Sequence, residues 1–142
     1  MTAYADTSFI VSIYVLDANS RLAAARMKRI SLPILITLLG ELELSNALSL
    51  RLFRKELTPF EVEAAHGLFA EDVSAGLFQP SPLAPAAYER AALIARKHTP
   101  QLGTRTLDVL HVALALTLNA STFYTFDRNQ RVLAKREGLA TP

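Results

Sequence analysis

The stretch TAYADTSFIVSIYV, residues 2–15, decides the fold, because it places an apolar strand directly before an acidic residue and a helix. Residues 2–6 are predicted to form a short strand that ends at Asp6. A helix is predicted to begin at Thr7 and to continue to about Tyr14. The Asp6 carboxylate therefore stands at a strand exit, where open α/β sheets commonly bind their ligands.

The same order of strand, aspartate and helix returns near the end of the chain. STFYTF, residues 121–126, is predicted to be a strand, Asp127 follows it, and a basic helix is predicted over 128–136. Further strands and helices alternate between these two units. The remaining predicted strands cover 34–38 and 77–79, and the remaining predicted helices cover 21–30, 40–55, 58–76, 86–98 and 107–118.

This alternation predicts an α/β sandwich around a mostly parallel sheet. The helix at 58–76 has a strong start, because Thr58 can cap it and Glu61 completes a capping box. The segment HTPQLGT, residues 98–104, is predicted to be a loop. No internal repeat or linker interrupts the pattern, so residues 1–142 are predicted to form a single domain.

The composition limits the kind of protein. Hydrophobic residues make up 51% of the 142 residues, which is enough for a substantial core. The absence of cysteine excludes disulfides, zinc–thiolate sites and thiol nucleophiles, and it fits a reducing cytoplasm. The apolar runs at 8–16 and 32–40 are too short to span a membrane. We therefore expect a soluble, unprocessed, cytoplasmic protein with no membrane partner.

The charge pattern suits a phosphate-containing partner without establishing one. The net charge is +2, and eleven arginines stand against four lysines. A guanidinium group matches the oxygens of a phosphate, although most of these arginines are expected to be ordinary solvated positions. Arg105 and Arg128 are the leading candidates for contacting such a partner, because each adjoins an acidic residue. The alternative is that they pair with those acids or face water.

Four carboxylates occupy apolar segments that would not ordinarily tolerate them: Asp6, Glu43, Asp108 and Asp127. An ionised carboxylate in such a setting is costly unless it is hydrogen-bonded, paired with a charge or bound to a metal. If the four converge, a hard divalent cation with oxygen ligands is the natural occupant. Metal-assisted cleavage of a phosphodiester bond is then the natural chemistry.

Three of these acids also have a purely structural explanation. Asp6 and Asp127 can cap the helices that follow them, and Asp108 can lie in a first turn capped by Thr106. Capping does not explain why two of the acids stand at strand exits. Nor does it explain why Asp108 shares a helix face with His111, which can be a ligand or, more simply, a packed and hydrogen-bonded histidine.

Glu43 competes with Glu41, because helical spacing alone does not choose between them. Glu43 shares its face with Asn46, and a face with that polar side chain suits a cleft better. The two remaining histidines, His66 and His98, fit surface or loop positions and are assigned no role.

Four segments, taken together, are similar to the successive signature segments of PIN-domain ribonucleases. They are YADTSFIVSIYV, ELSNALSLRLF, RTLDVLHVALAL and FYTFDRNQRVLA. The resemblance runs from residue 3 to about residue 136 and is closest to the VapC-type toxins of bacterial toxin–antitoxin modules. It implies a three-layer α/β/α sandwich with a short, mostly parallel central sheet, and a single PIN-like nuclease domain. The terminal GLATP offers little of the family's usual terminal strand.

The resemblance implies a metal-dependent endoribonuclease. By motif position, the family's Mg²⁺- or Mn²⁺-binding acids correspond to Asp6, to Glu43, to Asp108 and to Asp127. We hypothesise that Asp6 and Asp108 hold the principal metal, and that the other two complete the site directly or through water. The resemblance also implies flanking hydroxyl groups and partners. The hydroxyl positions are Thr7, Ser8 and Thr125, and the partners are an RNA substrate, a cognate antitoxin and a second copy of the chain.

Two other functions stay open at this point. A phosphoacceptor receiver domain also gathers aspartates and Mg²⁺ at a sheet edge, but it needs adjacent acids near its first strand, and only Asp6 is present here. A receiver also needs a lysine after a late strand, whereas STFYTF leads to Asp127. A catalytically silent PIN-like binding module is the other alternative, and the complete set of four acids argues against it.

Overall fold

The computed structural model describes residues 1–142, which form four strands and seven helices. None of the helices is both long enough and apolar enough to cross a membrane. The strands are β1 (Ala3–Ala5), β2 (Ile34–Thr37), β3 (Phe78–Ser81) and β4 (Thr122–Tyr124). The helices are α1 (Thr7–Tyr14), α2 (Ser20–Met27), α3 (Leu38–Phe53), α4 (Pro59–Ser74), α5 (Pro85–Leu102), α6 (Thr106–Thr117) and α7 (Arg128–Arg136).

The four strands form one sheet in the order β3-β2-β1-β4, and all three pairings are parallel. In the centre, Tyr4 pairs with Leu35 of β2 and with Phe123 of β4. The chain adds β2 and β3 on one side of β1 and then crosses back to place β4 on the other. The order therefore changes direction between β1 and β4, and a crevice is expected at the carboxyl ends of these two strands.

Helices cover both faces of the sheet, which confirms the three-layer α/β/α sandwich. Side chains alternate along β1, so Ala3 and Ala5 face one core while Tyr4 faces the other. The first core is completed by helices α1 to α4, and the second by α5, α6 and α7. In the second core the ring of Tyr4 stacks on Phe123 with centroids 5.4 Å apart.

The predicted loop at 98–104 is wrong over residues 98–102, because α5 continues to Leu102. Pro100 lies in the last turn and cannot donate to the carbonyl four residues before it, and the helix ends two residues later. Gly103 ends the helix in a left-handed conformation (φ 63°), and its N–H donates to the carbonyl of Thr99. His98 is consequently buried rather than exposed, and its ring bonds Glu137 at 2.6 Å.

The start of α4 and the C-terminal segment GLATP can also be compared with the sequence prediction. The capping box at Thr58 and Glu61 is confirmed, since each side chain bonds the other residue's backbone N–H. The terminal GLATP contributes a single parallel bridge, in which Ala140 pairs with Thr122. That edge of the sheet is therefore extended by one residue pair and not by a fifth strand.

Candidate functional site

Asp6 leaves β1 at the carboxyl edge of the sheet and is fully buried. The hydroxyl of Ser8 donates to its two carboxylate oxygens at 2.8 and 3.0 Å, and the hydroxyl of Thr125 donates at 2.6 Å. The backbone N–H of Phe9 donates at 3.0 Å, so Asp6 is also the N-cap of α1. The side chain thus joins the end of β1 to the residue that follows β4.

Burial makes the charged form of this carboxylate unfavourable. It raises the pKa of Asp6 above the ordinary value, although the donors from Thr125, Phe9 and Ser8 and the nearby His111 oppose the rise. No lysine or arginine forms an ion pair with Asp6. A buried carboxylate without a lysine or arginine partner is a candidate ligand for a cation.

Glu43 approaches the same edge from the second turn of α3. Its Oε1 atom accepts a hydrogen bond from Thr7 at 2.9 Å and bonds Nε2 of His111 at 2.5 Å. Burial would raise the pKa of Glu43, but the hydrogen bond and charge of His111 and the bond from Thr7 outweigh it and lower that pKa. Glu41 makes no side-chain hydrogen bond, whereas Glu43 bonds residues of α1 and α6.

His111 is held from both sides. Its Nδ1 atom lies 2.7 Å from the hydroxyl of Tyr4, and its Nε2 atom meets the carboxylate of Glu43. Because an ionised carboxylate only accepts, Nε2–H donates to Glu43, and the Tyr4 hydroxyl donates to Nδ1 when the ring is neutral. The expectation of a packed, hydrogen-bonded histidine is confirmed. Its contact with Glu43 makes it part of the site as well.

Asp108 and Asp127 are joined through Gln130 of α7. The side-chain amide of Gln130 donates to Asp108 at 3.1 Å, and its backbone N–H donates to Asp127 at 2.9 Å. The backbone N–H of Asp127 in turn donates to the hydroxyl of Thr125 at 2.9 Å. A continuous chain of hydrogen bonds therefore runs from Asp6 through Thr125 and Asp127 to Asp108.

The structural interpretation of these acids also has a definite outcome. Asp6 and Asp127 are the N-caps of α1 and α7, as the capping interpretation predicted. The predicted cap at Thr106 is wrong: the N-cap of α6 is Arg105, whose backbone N–H donates to Asp108 at 3.2 Å. Capping fixes the directions of these side chains, and it leaves their negative charge without an ion-pair partner.

All four predicted acids lie at one edge, but they do not form a finished coordination sphere. No group of three or more His, Asp or Glu side chains is close enough to hold a metal ion. Each carboxylate is instead held by its own hydrogen-bond donors. The donor set still fits a hard cation, because it consists of carboxylate and hydroxyl oxygens, and Asp6 is charged only at a cost.

The predicted supporting residues are three hydroxyl residues, implied by the resemblance, and two arginines, chosen because each adjoins an acidic residue. The three hydroxyl residues all contact a carboxylate: Thr7 bonds Glu43, whereas Ser8 and Thr125 bond Asp6. Arg105 and Arg128 are exposed at the starts of α6 and α7, and neither forms an ion pair.

Sequence reasoning missed Gln130 and the role of Tyr4. Tyr4 stands two residues before Asp6, and residues with this spacing on a strand point to the same face of the sheet. This spacing could have indicated that Tyr4 lies near the site. Gln130 had no comparable signal, because its partner Asp108 comes from another helix.

The sequence profile of the PIN domain family matches residues 3–136. The chain belongs to the PIN domain family. This confirms the family prediction, and it covers all four acids, both candidate arginines and the three hydroxyl residues. No protein of curated function gave a significant match to the sequence.

Solved structures share the fold of this PIN domain at low sequence identity. VapC20 of Mycobacterium tuberculosis, described as a toxin that cleaves the sarcin–ricin loop, is 16% identical, with a TM-score of 0.74 over 98% of this chain and 97% of its own. FitAcB from Neisseria gonorrhoeae is 19% identical, with a TM-score of 0.73 over 99% and 96%. A toxin–antitoxin complex from Klebsiella pneumoniae is 13% identical, with a TM-score of 0.62 over 89% and 87%.

We expect Asp6→Asn to gain stability relative to wild type as the pH rises, in the absence of metal. Since burial raises the pKa of Asp6 in the folded protein, that state holds the proton more tightly than the unfolded chain, whose value is near 3.8. The free energy of unfolding of wild type therefore falls as the pH rises through the folded-state pKa of Asp6. The Asp6→Asn variant has no titrating group at this position and lacks this fall.

Urea unfolding in a chelator, between about pH 4 and about pH 7, measures this difference. Glu63→Gln is the control, because Glu63 is exposed and makes no hydrogen bond or ion pair. A difference between Asp6→Asn and wild type that stays flat or shrinks with pH would show that the carboxylate is not penalised by burial.

Proposed function

We propose that this PIN domain is a metal-dependent endoribonuclease and the toxin of a toxin–antitoxin pair. The observation that carries the proposal is the fully buried carboxylate of Asp6, which has no cationic partner and is connected by hydrogen bonds to Asp127 and Asp108. Glu43 joins the same edge through Thr7. Family membership and the three structural neighbours support the choice of a nuclease over other users of divalent cations.

Mg²⁺ or Mn²⁺ is the cofactor that this donor set fits. In the proposed site Asp6 and Asp108 hold the ion, and Glu43 and Asp127 complete the site directly or through water. When bound, such an ion polarises a phosphate oxygen and lowers the pKa of a bound water for in-line attack on phosphorus. Binding also removes the cost of ionising Asp6, because a cation then compensates the buried charge.

The chain's own residues position the reaction. Glu43 stays ionised at neutral pH because its pKa is lowered, so its carboxylate can accept a hydrogen bond from the attacking water and orient it. His111 and Tyr4 hold Glu43 in place from the second core. Ser8 and Thr125 fix the carboxylate of Asp6, which reduces the reorganisation needed when charge develops.

The RNA backbone approaches an acidic edge and needs cations beside it. Arg105 is the N-cap of α6, the helix that carries Asp108. Arg128 is the first residue of α7, which follows Asp127. Both arginines are exposed and form no ion pair. Each can therefore contact a phosphate that flanks the scissile one.

The proposed partners are a second copy of the chain and an antitoxin, in the cytoplasm. Large apolar side chains are exposed on the first-core side of the molecule, among them Leu16 at 93%, Phe53 at 82% and Phe60 at 81%. Tyr14, Phe60 and Leu68 line a groove of about 220 Å³ there. Apolar surface of this kind marks a protein interface.

A catalytically silent PIN module that binds RNA is the second candidate. One observation favours it: no three acidic or histidine side chains gather closely enough to hold a metal ion. The receiver alternative is not proposed further, because the chain belongs to the PIN family.

Purified protein is expected to cleave structured RNA in Mg²⁺ or Mn²⁺ and not in a chelator, leaving 5′-phosphate and 3′-hydroxyl ends. Asp6→Asn and Asp108→Asn are expected to lose about two orders of magnitude in rate, because each removes a metal-binding carboxylate. The rate is read from gel-resolved fragments. Metal-independent cleavage, or full activity in both variants, contradicts the nuclease. RNA binding without cleavage supports the silent module.

Divalent metal is expected to raise the melting temperature, because it binds the folded state alone. At a concentration about 100 times Kd the rise is roughly 5–10 °C. Glu43→Gln should reduce the rise, whereas Glu41→Gln should retain it, since Glu41 makes no hydrogen bond to the site residues. Equal shifts in the two variants would remove Glu43 from the site, and no shift in wild type would argue against metal binding.

Sedimentation is expected to give about twice the mass of the 15.6 kDa chain. Co-expression with the product of an adjacent small gene should remove the growth defect that the active protein causes. A monomer at all concentrations would reject the dimer. An unchanged growth defect with every adjacent gene would reject the antitoxin.

A further inference from the structure

A second polar feature lies beside the acidic edge, on the first-core side of β4. It is a cavity of about 300 Å³ that we call the arginine pocket. Two guanidinium groups, a tyrosine ring and no acidic side chain line it. The lining residues are Leu22, Ala25, Arg26, Arg29, Tyr124 and Pro142.

Arg26 is the central group of the arginine pocket. Its Nη1 atom is buried and has no hydrogen-bond partner in the chain, and its Cζ atom lies 5.3 Å from the centre of the Phe126 ring. Burial, followed by the charge of the nearby Arg131, lowers the pKa of Arg26. A buried donor without an acceptor is costly to the fold. The missing acceptor is therefore expected to come from a ligand.

Arg131 connects the arginine pocket to the acidic edge. Its Nη2 atom donates to the carbonyl of Thr125 at 3.0 Å, while the hydroxyl of Thr125 donates to Asp6 at 2.6 Å. One residue therefore faces the carboxylate on one side and an arginine on the other. Tyr124, which lines the arginine pocket, directly precedes Thr125 in the chain, so the arginine pocket is adjacent to the acidic edge.

The charges in this region are uncompensated. None of Arg26, Arg29 and Arg131 forms an ion pair with an aspartate or glutamate. Guanidinium groups bind phosphate oxygens through paired hydrogen bonds.

We propose that the arginine pocket binds a backbone phosphate of the RNA, other than the one that is cleaved. This rests on the proposed function, since it assumes that RNA is the molecule held at Asp6. Continuity with the acidic edge through Thr125 favours RNA over an acidic segment of a protein partner. The proposal assigns roles to Arg26 and Arg29 and gives Arg131 a defined position.

The test measures RNA binding without metal, so that it does not depend on cleavage. A labelled, short single-stranded RNA is titrated in a chelator at several salt concentrations, with wild type, Arg26→Gln, Arg29→Gln and Arg21→Gln. Arg21 is the matched control, because it is exposed on the same helix and does not line the arginine pocket. Melting temperatures check folding, and Arg29 provides an exposed second position if Arg26→Gln fails to fold.

Arg26→Gln and Arg29→Gln are each expected to weaken RNA binding roughly 10-fold relative to Arg21→Gln. The slope of log K against log salt should fall by about 0.7 for each phosphate that the variant no longer binds. Binding equal to that of Arg21→Gln in both variants would overturn the arginine pocket alone and leave the nuclease standing. Wild type that neither binds nor cleaves RNA would overturn both proposals. A polyglutamate peptide whose binding depends on Arg26, with RNA binding unchanged, would reassign the arginine pocket to a protein partner.

Discussion

The hydrogen bond from the hydroxyl of Thr125 to the buried carboxylate of Asp6 joins β1 to β4 where the strand order changes direction. At 2.6 Å it ties together two segments 119 residues apart in the chain. Helix α1 begins directly after Asp6, and α7 begins shortly after Thr125, so the directions of both helices depend on this contact. The remaining acids reach the edge because α3 and α6 pack beside these two helices.

The burial of Asp6 at this contact lowers the stability of the folded protein when the carboxylate is charged. Burial raises the pKa of Asp6, and hydroxyl and amide donors only partly offset the loss of water. A hydrophobic residue at this position would remove that cost, but it would also remove the carboxylate that the proposed metal site requires. A cation bound at Asp6, as proposed, would stabilise the folded state, because a ligand that binds only the folded protein lowers its free energy. In that proposal the stability of the fold and its affinity for metal depend on the same side chain.

The strand ends and their acids could be predicted because the signals are local. Asp6 and Asp127 each follow a short apolar strand, and parallel strands bring such positions to one edge. The preference for Glu43 over Glu41 stays a prediction. The bond of Glu43 to His111 depends on how α3 lies beside α6, which no local pattern encodes. Gln130 was missed for the same reason. The loop error arose because Pro100 was treated as a helix break, whereas α5 continues two residues past it and ends at the left-handed Gly103.

Thr125 also explains how opposite charges can stand side by side without cancelling. Its hydroxyl bonds Asp6 and its carbonyl bonds Arg131, so the acid and the cation are separated by a neutral residue that satisfies both. A direct ion pair between Asp6 and Arg131 would have neutralised the carboxylate that a metal needs and the guanidinium that a phosphate needs. Separation preserves both charges for one ligand, because a polynucleotide with a bound cation presents phosphate oxygens to the arginine and metal to the acid. Thr125 thus holds the carboxylate of Asp6 and the guanidinium of Arg131 at a fixed separation in the proposed site.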